Sequence, residues 1–115
     1  MSNLEKRMKT VRDATGTPYE APKHFGVYGL QKFVKESERI KVFYSYFQPN
    51  GGAEMSASPT EKIYYIVKGS ITVNGRDESH VLNQGDLIFI EADEEREMII
   101  NDGKPAEVLV FIITP

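Results

Sequence analysis

The sequence predicts an all-β domain, a closed barrel or sandwich of short antiparallel strands. Between residues 39 and 115 no segment is both long and periodic at 3.6 residues, as an amphipathic helix would be. The apolar runs there are short, rich in β-branched and aromatic residues, and separated at close intervals by glycine, asparagine, aspartate and proline. A sheet with so many strand edges protects them best by closing on itself.

The chain has 115 residues, a length expected to form one domain, with residues 1–38 as an N-terminal arm and edge strands and residues 39–115 as the barrel core. Its 40% hydrophobic and 27% charged residues are ordinary for a globular protein. A net charge of −3, without a basic patch, argues against a general electrostatic binder of nucleic acid. Cysteine is absent, which removes disulfides, thiolate metal sites and cysteine nucleophiles. The N-terminal residues lack the apolar stretch of a signal peptide, and nowhere do about 18 apolar residues run together as a membrane span requires. A cytoplasmic protein with neither nucleic acid nor membrane as partner is expected.

Residues 1–8 are polar and read as a loosely docked arm, and residues 9–14 as a first short strand. Residues 15–23 read as loop, because Pro18 and Pro22 each bias the preceding residue toward extended geometry. Residues 24–30 alternate loosely and contain Gly26 and Gly29, which suggests an edge strand, running on to Val34, with a bulge or a close backbone approach. The segment RIKVFYSYFQ, residues 39–48, is a strand that should stop at Pro49-Asn50-Gly51-Gly52, the strongest turn signal in the chain. A polar connector over 53–60 leads to a strand at 62–67, then Gly69 and a strand at 70–73, with Asn74-Gly75 as a type I′ hairpin signal. Residues 78–82 return, 83–86 turn, 87–90 form an apolar strand, 91–95 an acidic loop and 96–100 another strand. Asn101-Asp102-Gly103 then turns into a last strand at 106–114.

This grammar, carried by YYIVKGSITVNG and LNQGDLIFIEAD and by the spacing of their glycines, resembles the two motifs of the cupin family. The resemblance covers about half the chain and implies an antiparallel double-stranded β-helix, a jelly-roll barrel. The family's first motif carries two histidines spaced one apart, a glutamate, and a glycine seven positions after it; the second opens on a glycine and closes on a histidine. Anchoring on Gly69 places the glutamate position at Lys62 and the histidine positions at Ser56 and Ser58. Anchoring on Gly85 places Glu91 at the second motif's proline, Asp93 at its glycine and Arg96 at its histidine. All the metal-ligand positions of the family have therefore changed.

Imidazole and carboxylate hold transition metals in such barrels, whereas an ammonium or guanidinium is no ordinary ligand at neutral pH. The resemblance implies that Lys62 and Arg96 point where a cation would sit, flanked by hydroxyls. That is an anion-binding arrangement, with a planar fork from Arg96 and a mobile point charge from Lys62. The alternative reading keeps both heads in water or pairs them with Glu61, Glu91, Glu94, Glu95 or Glu97 as surface ion pairs of about 0 to 1 kcal/mol. Ser56 and Ser58 likewise read either as ligand contacts or as loop residues bonded to local backbone.

Strand alternation puts Lys62, Tyr64 and Ile66 on one face and Ile63, Tyr65 and Val67 on the other. Because the family's glutamate faces inward, Tyr64 is expected to line the cavity. The same parity groups Arg96, Met98 and Ile100. Tyr44 and Tyr46 share a face that parity alone does not assign. There are two histidines. His80, on the returning hairpin strand and far in sequence from the ligand positions, reads as an exposed edge residue. His24, in a segment that commonly packs on the barrel in cupins, is the candidate acid or base. A metal site using His24 with Glu54 or Glu61 is a lesser alternative.

The functional expectation is a metal-independent, cofactor-free cupin that binds a small anionic or polyhydroxylated ligand, with isomerase, lyase or cyclase chemistry open. Its ligand-binding residues are Ser56, Ser58, Lys62, Tyr64, Arg96 and Met98, and its catalytic candidates His24, Lys62 and Arg96. The competing expectations are a non-catalytic ligand-sensing or partner-binding module and an atypical metallocupin. A homodimer is expected from the family's habit and from the glycine-rich, aromatic N-terminal segment, suited to covering or extending a sheet edge.

Overall fold

The computed structural model describes residues 8, 17–19, 23–31 and 39–115. The strand expected at residues 9–14, the arm at 1–7 and the continuation of the edge strand through Val34 lie outside the described residues. No described residue is helical, and among the described residues no helix is long and apolar enough to cross a membrane.

The strands are β1 (Thr17–Tyr19), β2 (His24–Gln31), β3 (Ile40–Ser56), β4 (Glu61–Lys68), β5 (Ser70–Asn74), β6 (Ser79–Asn83), β7 (Leu87–Ile90), β8 (Arg96–Ile100) and β9 (Ala106–Ile113). They form one antiparallel sheet in the order β6-β5-β8-β3-β9-β4-β7, with β2 added to β3 and β1 to β2. Its two ends, β6 and β7, are consecutive in the chain. The tight turn between them bonds to β4, with Gly85 N–H donating to Ile66 O at 2.8 Å and Ile66 N–H to Asp86 O at 2.9 Å. The sheet thus rolls into a nearly closed barrel.

Three sequence expectations are corrected. Residues 17–19 are a strand and not loop; β1 pairs with β2 alone, and an edge tolerates the missing N–H of Pro18. Pro49-Asn50-Gly51-Gly52 does not end its strand. Asn50 takes φ 67°, and the chain bends there instead of reversing, so that residues 40–47 pair with β9 and residues 52–56 with β8. Gly52 makes this possible because a Cβ there would overlap the Met98 carbonyl oxygen. Lastly, neither Asn74 nor Gly75 has the positive φ of a type I′ turn. The loop covers residues 75–78, closed by Gly75 N–H donating to Glu78 O at 2.8 Å, and the strand pair ends at Asn74 and Ser79.

The bulge expected at Gly26 is present, with φ 60° and a register shift between Phe25 and Val27. Alternation along the strands fills the barrel with Phe47, Tyr64, Ile66, Ile71, Val73, Leu82, Ile90, Met98, Ile100, Ala106 and Val108. Burying each large apolar side chain among them contributes about 1.5 to 3 kcal/mol. The inward set on β4 is the expected one, Lys62, Tyr64 and Ile66. On β3, Ser45 and Phe47 are buried, so Tyr44 and Tyr46 lie on the outer face. There their rings pack 4.9 Å apart, and the Tyr44 hydroxyl donates to Glu107 Oε1 at 2.7 Å.

Candidate functional site

Lys62 is a charged residue placed in an apolar interior. It lies one residue inside the start of β4, on the inward face, and is 4% exposed. Its ammonium donates a short hydrogen bond to Ser58 Oγ and a second, at 3.0 Å, to Thr60 O. Ser58 Oγ in turn lies 3.0 Å from Thr60 Oγ1. Burial, and next the positive charge of Arg96, lower the Lys62 pKa below the ordinary 10.5, while Asp93 opposes the shift.

Arg96 opens β8 and is half-buried. Its Nη1–H donates to Ser56 O at 2.7 Å and to Ser56 Oγ at 2.8 Å, across the β3–β8 pair where Ser56 and Arg96 are register partners. Its Nε–H donates to the Tyr64 hydroxyl at 3.2 Å. The loops carrying these groups are tied together, since Asp93 N–H donates to Ser58 O at 2.8 Å. Among the described residues no carboxylate forms an ion pair with Lys62 or Arg96; neutral hydroxyls and carbonyls answer both charges. The surface pairing with Glu61, Glu91, Glu94, Glu95 or Glu97 that the sequence left open is therefore absent from the described residues.

Beside this cluster the barrel mouth holds a cavity of about 290 Å³, bounded by Val73, Ile88 and Ile90 below, Glu91, Glu94 and Glu95 from the 91–95 loop, Glu78 and His80 from the hairpin, and Arg96. Of the residues expected to contact a ligand, Arg96 reaches this cavity. Ser56, Ser58, Lys62 and Tyr64 converge behind it through the bonds just described. Met98 does not join them: it is 3% exposed and packed in the core. His24 pairs with Ala53, and its ring lies 6.3 Å from that of Phe47; it does not line the cavity.

Sequence reasoning missed Glu78 and His80. His80 is exposed, as expected for an edge strand, yet it is the register partner of Val73, whose side chain is buried, and so faces the cavity. Parity from the buried Leu82, two residues on, carried that signal.

A cupin-domain family model matches residues 43–112. The chain belongs to the cupin family. It is 26% identical over 111 residues to the protein named beta-D-galactosidase Rv1717 of Mycobacterium tuberculosis, covering 94% of this chain and 96% of that one. Among solved structures it resembles the polyketide cyclase RemF of Streptomyces resistomycificus, with TM-score 0.79, 18% identity and coverage of 94% and 80% of the two chains. It also resembles a predicted oxalate decarboxylase of Thermotoga maritima, with TM-score 0.74, 18% identity and coverage of 92% and 99%. These structural likenesses concern the fold.

The cupin family's metal does not fit the residues at its usual positions. Ser56 and Ser58 offer hydroxyls already engaged by the guanidinium and the ammonium, and Lys62 and Arg96 bring positive charge to the place a cation would occupy. Among the described residues no group of three or more histidine, cysteine, aspartate or glutamate side chains is arranged to hold a metal ion, including any built on His24, Glu54 or Glu61.

Proposed function

We propose that this cupin binds a small polyhydroxylated molecule of the saccharide class at the barrel mouth, without a metal, and that one of the ligand's oxygens docks on Arg96. The observation that carries this reading is the position of Arg96 between two environments, fixed by Ser56 and Tyr64 on one side and bordering the open cavity on the other. A guanidinium oriented in this way has donors left for an incoming carboxylate, carbonyl or hydroxyl. Lys62, sealed behind it, adds a second positive charge at short range. The cavity wall sets carboxylates of Glu91, Glu94 and Glu95 beside apolar Ile88 and Ile90, a combination suited to a ligand with many hydroxyl donors and apolar C–H faces. So many wall carboxylates disfavour a multiply charged anion. The ligand is therefore neutral or carries one negative charge, which narrows the anionic expectation drawn from Lys62 and Arg96 alone. The name of the Mycobacterium tuberculosis relative, beta-D-galactosidase, supports the saccharide class.

Thermal unfolding of the full chain with D-galactose and with D-galactonate, alongside an assay for release of 4-nitrophenol from its β-D-galactoside, tests the reading. Stabilisation by either sugar supports the binding site, and release dependent on Arg96 makes the cupin an enzyme. Stabilisation without release supports the binding-module alternative.

A further inference from the structure

His80 and Glu78 form a hydrogen-bonded pair inside the cavity that Arg96 borders. The imidazole Nε2 lies 3.0 Å from Glu78 Oε1, and both residues line the cavity wall. The hairpin geometry fixes the pair. Gly75 N–H bonds Glu78 O at 2.8 Å, Ser79 Oγ donates to Asn74 Oδ1 at 2.6 Å, and His80 follows as the partner of the buried Val73. The side chains remain reachable, at 49% exposure for His80 and 64% for Glu78. A carboxylate on one ring nitrogen selects the tautomer, and among the described residues no hydrogen bond engages His80 Nδ1.

We infer that His80, aligned by Glu78, contacts the ligand that docks on Arg96 and exchanges a proton with it. The inference rests on the saccharide-binding reading of the same site. In the protonated ring, Nε2–H donates to the Glu78 carboxylate and Nδ1–H donates to a ligand oxygen. Transfer leaves the proton on that oxygen and the N–H electron pair on Nδ1, giving neutral imidazole; the reverse step restores it. No oxidant or other reactant is needed. The charged groups that line the cavity with His80 are Glu78 on its own hairpin, Arg96 from β8, and Glu91, Glu94 and Glu95 from the 91–95 loop. Of these, Glu95 already faces Arg76 at 3.5 Å.

The chain's two histidines make the test direct, because His24 serves as an internal reference. Imidazole resonances of the full chain are followed by NMR as D-galactonate is added, and the dissociation constant is measured from about pH 8 to about pH 5.5, the span in which imidazoles take up a proton. The expected result is a shift of the His80 signals with those of His24 unmoved. Binding should tighten about tenfold toward the lower pH, as one charge-assisted hydrogen bond allows, and His80→Gln should flatten that dependence. Glu78→Gln should reduce it while leaving the barrel folded. If D-galactonate binds but the His80 signals stay in place and His80→Gln keeps the wild-type pH dependence, the inference is overturned and the saccharide reading stands. If neither D-galactonate nor D-galactose binds, both fall together.

Discussion

The Arg96 Nε–H donates to the Tyr64 hydroxyl at 3.2 Å and so joins β8 to β4, strands separated in the sheet by β3 and β9. The bond crosses the barrel interior and fixes the guanidinium plane. Tyr64→Phe removes the acceptor while keeping the buried ring. A loss of about 1.5 kcal/mol is expected for a bond to a charged group, read as a lower midpoint in urea unfolding. An unchanged midpoint would show that the bond does not hold Arg96 in place.

Lys62 predicts a pH dependence of stability. Its pKa is lowered in the folded chain from the ordinary 10.5, first by burial and then by Arg96. Between the folded and unfolded values the unfolded chain binds more protons, so stability rises as pH climbs through the folded value and levels off near the unfolded one. Below the folded value the penalty is present in full. Lys62→Met should abolish this alkaline rise and leave the protein at neutral pH about 1 kcal/mol more stable, since a buried charge is replaced by an apolar chain of similar length. Urea unfolding at several pH values checks both; a rise that persists in Lys62→Met assigns it to another group.

The bend of β3 predicts unequal costs for two glycine substitutions. A Cβ at Gly52 meets the Met98 carbonyl, a backbone atom in a paired strand, so Gly52→Ala should cost about 3 kcal/mol or prevent folding. At Gly85 nothing lies within 4 Å, and only the φ of 91° opposes a side chain; Gly85→Ala should cost about 1 to 2 kcal/mol. Denaturant titrations of the two variants decide whether steric overlap or backbone conformation dominates.

These results separate what the chain spells out locally from what closure of the barrel adds. Strand alternation in KIYYIVK needs only the period of two and a known inward residue, so the faces of Lys62, Tyr64 and Ile66 were legible. The convergence of Ser56, Ser58, Lys62 and Arg96 was legible through motif spacing. Pro49 to Gly52 was misread because a positive φ and small residues serve a bend within a strand as well as a reversal; the choice is made by Met98 and Gly26, distant in sequence. The hydroxyls that flank Lys62 and Arg96 were legible from the same spacing, but their carbonyl partners, Thr60 O and Ser56 O, were not, since backbone carbonyls have no sequence signature. His80 and Arg96 border one cavity only because β5 brings β6 and β8 into the same sheet.

A homodimer is expected. On the outer face of β4 and β7 the exposed Tyr65 and Leu87 are register partners, and the exposed Phe89 sits beside Ile63. Such adjacent apolar side chains on an edge of the sheet favour association. Sedimentation at tens of micromolar should give a dimer, and Leu87→Glu should shift it toward monomer; a monomeric parent chain contradicts the expectation.

The most direct measurement of the central claim is thermal unfolding of the parent chain and of Arg96→Met in the presence of D-galactose and D-galactonate. Methionine keeps much of the apolar stem and removes the fork, so the barrel should still fold. The parent chain should be stabilised by mass action, by about 2.7 kcal/mol at a ligand concentration 100 times the dissociation constant, and Arg96→Met should lose that gain. No shift in the parent chain with either sugar, together with an Arg96→Met variant as stable as the parent or more so, would contradict the account and leave Arg96 a structural residue.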